Sequence, residues 1–177
     1  MRRTLAASIL TLGLACAVQA CSTPPSARPT TEEPTTGSPR PSALDAHGRT
    51  SCGLLSRDQL APLGLDPTTA DDSSTVLASA CRWKSTDKRR SLYLVVSVNS
   101  PLERVYEALA VNGPLQTFEL GGRRAVREGA PRASTCTIYL ELAQNQIASV
   151  EAATLLQDGT SCDLSEKALD AVVDSLS

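Results

Sequence analysis

The first fifty residues constrain this chain most, because they leave only residues 51–177 to form a folded domain. Residues 1–20 have the layout of a secretory signal peptide, with a basic start, an apolar run and the small residue Ala20 before the cut. The apolar run is shorter than the roughly 20 residues that a membrane-spanning helix needs. Cys21 follows directly, which predicts a bacterial lipoprotein signal in which the Cys21 thiol carries a diacylglycerol.

Alternatives to this signal stay open. The segment also fits cleavage without a lipid, and Cys16 is a second acceptor, although Gly13 stands where a branched residue is expected before it. The pair Arg2 and Arg3 is compatible with either the general secretory or the twin-arginine export route.

Residues 21–50 are predicted to be a tether that begins at the lipidated cysteine. Residues 22–50 contain six prolines, many Thr and Ser, and almost no large apolar side chain. Such a segment buries too little surface to offset the entropy of ordering it, so we expect a disordered, extended spacer. It fits either a bare spacer or one that carries O-linked sugars.

The charge balance excludes one class of function. Removal of residues 1–20 takes away Arg2 and Arg3 and no acidic residue, which leaves 15 basic and 19 acidic residues and a net charge of −4. A strongly cationic nucleic-acid binder is therefore excluded, and we expect no nucleic-acid partner.

Four cysteines in the predicted domain indicate two disulfides, because the compartment beyond the membrane is oxidising. They are Cys52, Cys81, Cys136 and Cys162. Zinc sites need closely spaced pairs, which these cysteines do not form, so no metal site is expected. Four cysteines allow three pairings. Cys52–Cys81 with Cys136–Cys162 is favoured, because each bridge then ties the start of a helix to a neighbouring strand.

Hydrophobic periodicity predicts the element order α-β-β-α-β-β-β-β-α. Ser56 with Gln59 forms a capping box for a short first helix, Ser100 caps a second, and Asp163 caps the last. Short polar connections join the strands as hairpins. We therefore expect an α+β fold: a curved antiparallel β-sheet of about five to six strands, three amphipathic helices packed on it, and two disulfides. The predicted strands are 79–84, 91–99, 115–120, 123–127, 135–142 and 147–153.

These features together resemble a known family. The lipoprotein signal, the Pro/Thr-rich tether, the Cys-x-Leu-Leu-Ser sequence at Cys52 and the Cys-Arg-Trp sequence at Cys81 are similar to those of actinobacterial lipoproteins known as domain of unknown function 3558. A cysteine in a late strand and one before the last helix also match. The resemblance covers residues 1–177. It implies an extracytoplasmic, membrane-anchored domain and brings no catalytic residues with it.

The sequence gives little support for an arrangement of catalytic residues. The only histidine, His47, lies in the predicted tether, so the domain has no base for a Ser-His-Asp or Cys-His arrangement. Carboxylates could pair among Asp58, Glu103, Glu107 and Glu119, but acids near helix starts are expected from capping alone. We predict no enzyme and no cofactor.

Two groups of basic residues and a few aromatic residues are the remaining surface signals. The sequence predicts local basic patches that fit either anionic lipids and wall polymers or charged hairpin edges. Most of the five aromatic residues fall at predicted core-facing positions, which disfavours a sugar-binding platform; the five are Trp83, Tyr93, Tyr106, Phe118 and Tyr139. The patches are Lys84, Lys88, Arg89 and Arg90, and Arg123, Arg124 and Arg127.

The sequence thus favours a non-catalytic binding or interaction module of the cell envelope. It would be lipid-anchored on the extracytoplasmic face of the cell membrane, and its partner would be an envelope protein or a small ligand. The alternative is a carrier of an apolar small molecule or lipid held between sheet and helices, and an envelope enzyme is a distant third.

Overall fold

The computed structural model describes residues 45–177 except 112, 114, 129–132 and 156–159. The predicted signal peptide (1–20), the lipidation site Cys21 and most of the predicted tether lie outside the described residues. Among the residues described, no helix is long and apolar enough to cross a membrane.

The described chain folds around one seven-stranded antiparallel sheet, with strand order β1-β2-β3-β7-β6-β5-β4. This confirms the predicted α+β class. The strands are β1 (Asp66–Asp72), β2 (Ala78–Lys84), β3 (Arg90–Ser97), β4 (Gln116–Leu120), β5 (Arg123–Glu128), β6 (Thr135–Ala143) and β7 (Gln146–Thr154). The helices are α1 (Ser51–Leu54), α2 (Arg57–Leu60), α3 (Leu102–Ala110) and α4 (Thr160–Leu176).

The predicted count of five to six strands is wrong, because β1 was missed. Its sequence, DPTTADD, lacks the alternation of apolar and polar residues that marks a half-buried strand. Side-chain bonds replace that pattern: the Lys84 backbone N–H donates to Thr69 Oγ1 at 2.8 Å, and the same hydroxyl donates to the Lys84 carbonyl at 3.1 Å. The β1–β2 ladder is also irregular between Asp66 and Asp71.

The predicted count of three helices is also wrong, because the predicted first helix is α2 and the single turn α1 before it was missed. Ser56 caps α2 through the predicted capping box with Gln59, which is confirmed. A capping residue is extended, so Leu55 and Ser56 interrupt the helical path and α1 ends at Leu54.

The other two predicted caps are displaced. The residue before α3 is Pro101, not Ser100, and no side-chain hydrogen bond caps this helix. Helix α4 begins at Thr160, so Asp163 lies in its first turn and not at its cap.

The main core lies between one face of the sheet and the helices α1, α2 and α4, and we call this side of the sheet the α4 face. Alternate strand residues fill it, as the period of two requires. Both disulfides lie here: Cys52–Cys81 joins α1 to β2, and Cys136–Cys162 joins β6 to the first turn of α4, each with Cα atoms 5.0 Å apart. The largest fully buried side chains are Trp83, Leu54, Leu60, Leu92, Leu94, Ile138, Leu140, Leu142, Leu169, Val150, Val172 and Cys81.

Residues just before the predicted domain boundary pack on the sheet. Ala46 is 2 % exposed and joins the main core, and its backbone N–H donates to Gln146 Oε1 at 3.1 Å. Ser51 is fixed to β2 in turn, since its hydroxyl donates to the Ser79 carbonyl at 2.7 Å. The folded part therefore includes residues from Asp45 onward, whereas the sequence placed its start at residue 51.

Helix α3 packs on the opposite side of the sheet, which we call the α3 face. A second cluster of buried side chains joins Leu102 to Val126 of β5 and Ile147 of β7, with Tyr139 of β6 beside it. These strand residues alternate with residues of the main core, so the two clusters lie on opposite faces. Helix α3 has only nine residues and covers only part of this face of the sheet. The uncovered part beside the helix forms the site described next.

Candidate functional site

A cleft of about 360 Å³ lies between α3 and the strands β4 and β5, and we call it the α3 cleft. Helix α3 is anchored over β5 and β6, so it overhangs the neighbouring edge strand β4 without filling the space above it. The residues that line the cleft are Leu102, Glu103, Tyr106, Glu107, Thr117, Phe118, Arg124, Ala125 and Val126.

The floor of the α3 cleft is apolar and firmly packed. Leu102 and Val126 are 4 % and 2 % exposed, and they belong to the cluster that fixes α3 to the sheet. Tyr106 lies one turn further along α3 and is 42 % exposed, so part of its ring is free to contact a ligand. A rigid apolar floor beside an accessible aromatic ring is typical of small-molecule and side-chain binding pockets.

Tyr139, the tyrosine of the second cluster, is more buried than Tyr106. Burial, together with the nearby Glu128 and Glu151 carboxylates, raises the pKa of Tyr139 to about 12. Its hydroxyl donates to Glu128 Oε2 at 3.4 Å. Tyr139 therefore stays a neutral hydrogen-bond donor on the α3 face at neutral pH.

An ion-pair network holds the first turn of α3 against the sheet. The Arg124 Nε and Nη2 atoms donate to the two carboxylate oxygens of Glu141 at 2.9 and 2.7 Å, and Nη1 lies 2.6 Å from Glu103 Oε1. These two carboxylates raise the pKa of Arg124 above its ordinary value. The guanidinium is thus already neutralised by protein groups, and it offers little attraction to an anionic ligand.

The rim of the cleft carries an excess of negative charge. Glu107 follows Glu103 by one turn of α3, and Glu119 of β4 stands opposite Arg124 in the β4–β5 ladder. Neither Glu107 nor Glu119 forms an ion pair with a residue that the structure describes. Two carboxylates at the rim are therefore available to a cation.

The predicted basic patch on β5 is not one surface, because successive residues of a strand point to opposite faces. Arg124 faces α3, whereas Arg127 faces α4, where it bonds to Glu166 and its guanidinium lies 4.9 Å from the centre of the Phe118 ring. Arg123 donates to the Leu142 carbonyl at 2.8 Å. Of the two alternatives for this patch, a surface for anionic lipids or wall polymers is therefore disfavoured, because its arginines are split between the two faces and bound by protein groups.

Two residues of the other predicted basic patch, Arg89 and Arg90, line a polar basin, also of about 360 Å³, at the turn between β2 and β3. Asp87 organises this turn by accepting from the Ser85 hydroxyl at 2.6 Å and from the Arg89 backbone N–H at 3.0 Å. The same bonds lower the pKa of Asp87. The basin is lined by Arg89 and Arg90 but also by this carboxylate, so its charge is mixed.

The sequence-predicted residues and the cleft overlap only in part. The four disulfide cysteines lie on the α4 face, away from the cleft, and form the two bridges that the sequence favours. The structure brings Glu103, Glu107 and Glu119 to one region, although capping seemed to explain them. Within the described ranges, no group of three or more His, Cys, Asp or Glu side chains is placed to hold a metal ion.

Tyr106 was assigned to the core and was missed as a site residue, whereas Phe118, which also lines the cleft, does pack against the main core. Tyr106 belongs to the apolar stripe of α3, and a stripe alone does not show where the sheet beneath the helix ends. The available signal was the charge beside it, since Glu103 precedes the tyrosine by three residues and is a neighbour on the helix surface.

Comparison with known proteins places the chain in a family. The model of a family described as proteins of unknown function, DUF3558, matches residues 16–175. No curated protein and no solved structure matches the chain significantly.

Proposed function

The chain belongs to the DUF3558 family, and we propose that it is a non-catalytic binding module of the cell envelope whose ligand occupies the α3 cleft. The module is anchored on the extracytoplasmic face of the cell membrane by a lipid on Cys21, as actinobacterial lipoproteins of this kind are. Its ligand is an envelope protein or a small molecule. The observation that carries this proposal is the α3 cleft itself.

The volume and lining of the cleft support a binding role. Ligand pockets commonly measure about 300–1,000 Å³ and combine an apolar lining with a few polar groups that orient the ligand. The α3 cleft has this composition, with Leu102 and Val126 in its floor and Glu107 at its rim. The opposite side of the sheet is filled by the main core, so the ligand position between sheet and α4 is disfavoured.

The envelope location rests on two independent features. The basic start, apolar run and Ala20–Cys21 junction are those of an exported lipoprotein. The two disulfides suit an oxidising compartment, because such bonds are rare in the bacterial cytosol.

A carrier of an apolar small molecule or lipid is the second candidate, and the apolar floor of the same cleft favours it. The two functions differ in whether a lipid stays bound to the protein during purification. A carrier purified without detergent brings a bound lipid that native mass spectrometry detects, whereas an interaction module is isolated without one.

Filling the cleft tests the proposal. Thr117 lines the cleft and is exposed, so a Thr117→Trp variant places an indole in the cleft without disturbing the main core. Gln116→Trp is the matched control, because Gln116 is the preceding exposed residue of β4 and points to the other face. The probe is Nile red, a neutral apolar dye whose fluorescence rises on binding.

We expect saturable dye binding by the parent domain and the Gln116→Trp variant, and weakened binding by Thr117→Trp. Equal binding by all three proteins, or no binding by the parent, overturns the assignment of the cleft as the binding site.

A further inference from the structure

The two edges of the sheet differ in how they are protected against pairing with another strand. Natural proteins protect open edges with prolines, charges and bulges. Strand β1 uses all three, since it contains Pro67, carries Asp71 and Asp72, and has an irregular register. This edge is therefore closed to further strands.

Strand β4 carries almost none of these devices. Its five residues pair with β5 in unbroken register from Gln116 to Leu120, without a proline or a bulge, and Glu119 is its only charged residue. In the part of the chain that the structure describes, no strand pairs with the outer edge of β4. Its backbone N–H and C=O groups on that side are available to an added strand.

A strand added at this edge meets two different surfaces. Toward the α4 face it lies beside Phe118 and Leu120, which are partly buried against the main core. Toward the α3 face it lies beside the α3 cleft, with Thr117 beneath and Tyr106 and Glu107 on the helix. Because the period of a strand is two, its side chains alternate between these surfaces.

The charges select the side chains that fit the α3 face. Glu107 and Glu119 have no ion-pair partner among the described residues, whereas Arg124 is already bound by Glu103 and Glu141. An arginine or lysine suits this face, because its aliphatic stem can cover Tyr106 while its charged end reaches a carboxylate. Apolar side chains suit the other face.

We propose that β4 and the α3 cleft together bind an extended polypeptide, which adds to the sheet as an eighth strand. Its basic side chains point toward α3, and its alternating apolar side chains cover Phe118 and Leu120. This inference rests on the proposed function and names its ligand class as a polypeptide segment. Main-chain bonds to β4 supply affinity, and the alternating contacts supply specificity.

A second copy of this chain is a poorer occupant of the edge. Antiparallel pairing of two β4 strands about Phe118 places Glu119 of each copy on the same face. Glu107 of each copy lies near that face, so four carboxylates gather where the nearby Arg124 is already bound by Glu103 and Glu141. Like charges across neighbouring strands are destabilising.

The probe is a synthetic peptide of about seven residues in which arginine and valine alternate, with both ends blocked. Binding is measured by calorimetry and by the amide NMR shifts of the domain. We expect saturable binding that moves the β4 and α3 signals, and at least tenfold weaker binding of the matched peptide in which glutamate replaces arginine. No binding of the parent peptide, or equal binding of the two, overturns the proposal.

Backbone methylation separates strand addition from simple charge attraction. In an added strand, the amides of the arginines point to one side and those of the valines to the other. One peptide is methylated on its arginine amides and the other on its valine amides. We expect one of them to bind like the parent and the other about tenfold or more weakly, since several hydrogen bonds are lost. Equal binding by both refutes strand addition.

Substitutions in the protein locate the site. Glu107→Gln and Glu119→Gln should each weaken binding of the arginine–valine peptide about two- to fivefold, as expected for exposed ion pairs. Asp71→Asn is the matched control, because Asp71 is an exposed acid on the opposite edge strand. An equal effect of all three substitutions contradicts the site.

The dye experiment with Thr117→Trp distinguishes the two proposals. If the peptide fails to bind while Nile red still depends on Thr117, the peptide inference fails and the binding-module proposal stands. Formation of a dimer through β4 also refutes the peptide as occupant. A dimer would show twice the monomer mass by static light scattering, and the NMR signals of β4 would shift with protein concentration in the absence of peptide.

Discussion

Removal of the disulfide Cys136–Cys162 should lower the free energy of unfolding by about 3.5 kcal/mol. The bridge spans 26 residues, and the chain-entropy relation gives this value for a loop of that length at 25 °C. The test variant is Cys136→Ala with Cys162→Ala. Domains of this size are commonly stable by about 5–15 kcal/mol, so the variant should fold but with a much smaller margin.

The second disulfide provides the matched comparison. Cys52–Cys81 spans 29 residues, for which the same relation gives about 3.6 kcal/mol. The two double variants should therefore lose nearly the same stability, although one bridge holds the long helix α4 and the other holds the single turn α1. A large difference between them would show that local packing, and not loop closure, sets the effect.

Urea unfolding measures the loss through Trp83, the only tryptophan, which is 1 % exposed and becomes hydrated on unfolding. A loss of about 3.5 kcal/mol lowers the urea midpoint by about 1–3 M for ordinary slopes. Circular dichroism serves as a second probe, because Trp83 lies two residues from Cys81. A loss below about 1 kcal/mol in either variant would refute the reasoning.

Three further outcomes are expected. Ser56→Ala should cost about 1 kcal/mol in urea unfolding, because it removes the capping bond to the Gln59 backbone N–H; an unchanged midpoint would contradict this. The pKa of Tyr139 is raised from 10.0 to about 12 in the folded protein, so its contribution to stability is present below pH 10.0 and is lost as the pH rises toward about 12. The parent should therefore lose more stability than Tyr139→Phe between about pH 8 and about pH 11. Equal losses would contradict it. Cys21→Ala should release the protein from membranes, whereas a variant that stays membrane-bound would exclude the lipid anchor.

The sequence predicted the inner strands of the sheet well, because both their faces are constrained. In β3, Leu92, Leu94 and Val96 alternate with polar or half-buried residues, and the same holds for β6. Strand β1 was missed because it is an edge strand held by hydroxyl and carboxylate bonds, which leave no hydrophobic period. Alternation therefore detects strands that bury a face, including the edge strand β4, and it misses a strand such as β1 that has no apolar face.

The candidate site was not predicted, for a related reason. The apolar stripe of α3 shows that the helix packs on a sheet, but it does not show which face it covers or how far the sheet extends beyond it. Tyr106 was consequently assigned to the core. In the structure α3 packs on β5 and β6, and the space above β4 stays open. The cleft arises from the order of the strands, which local patterns do not contain.

Site-specific photocrosslinking in intact cells tests the binding role of the α3 cleft most directly. A photoreactive amino acid replaces Thr117 in the full-length chain, and the same residue replaces Asp71 on the opposite edge as the control. The account predicts a discrete adduct of one mass from position 117 only, and its loss when Tyr106→Ala is added. No adduct from position 117, or the same adduct from both positions, would contradict it.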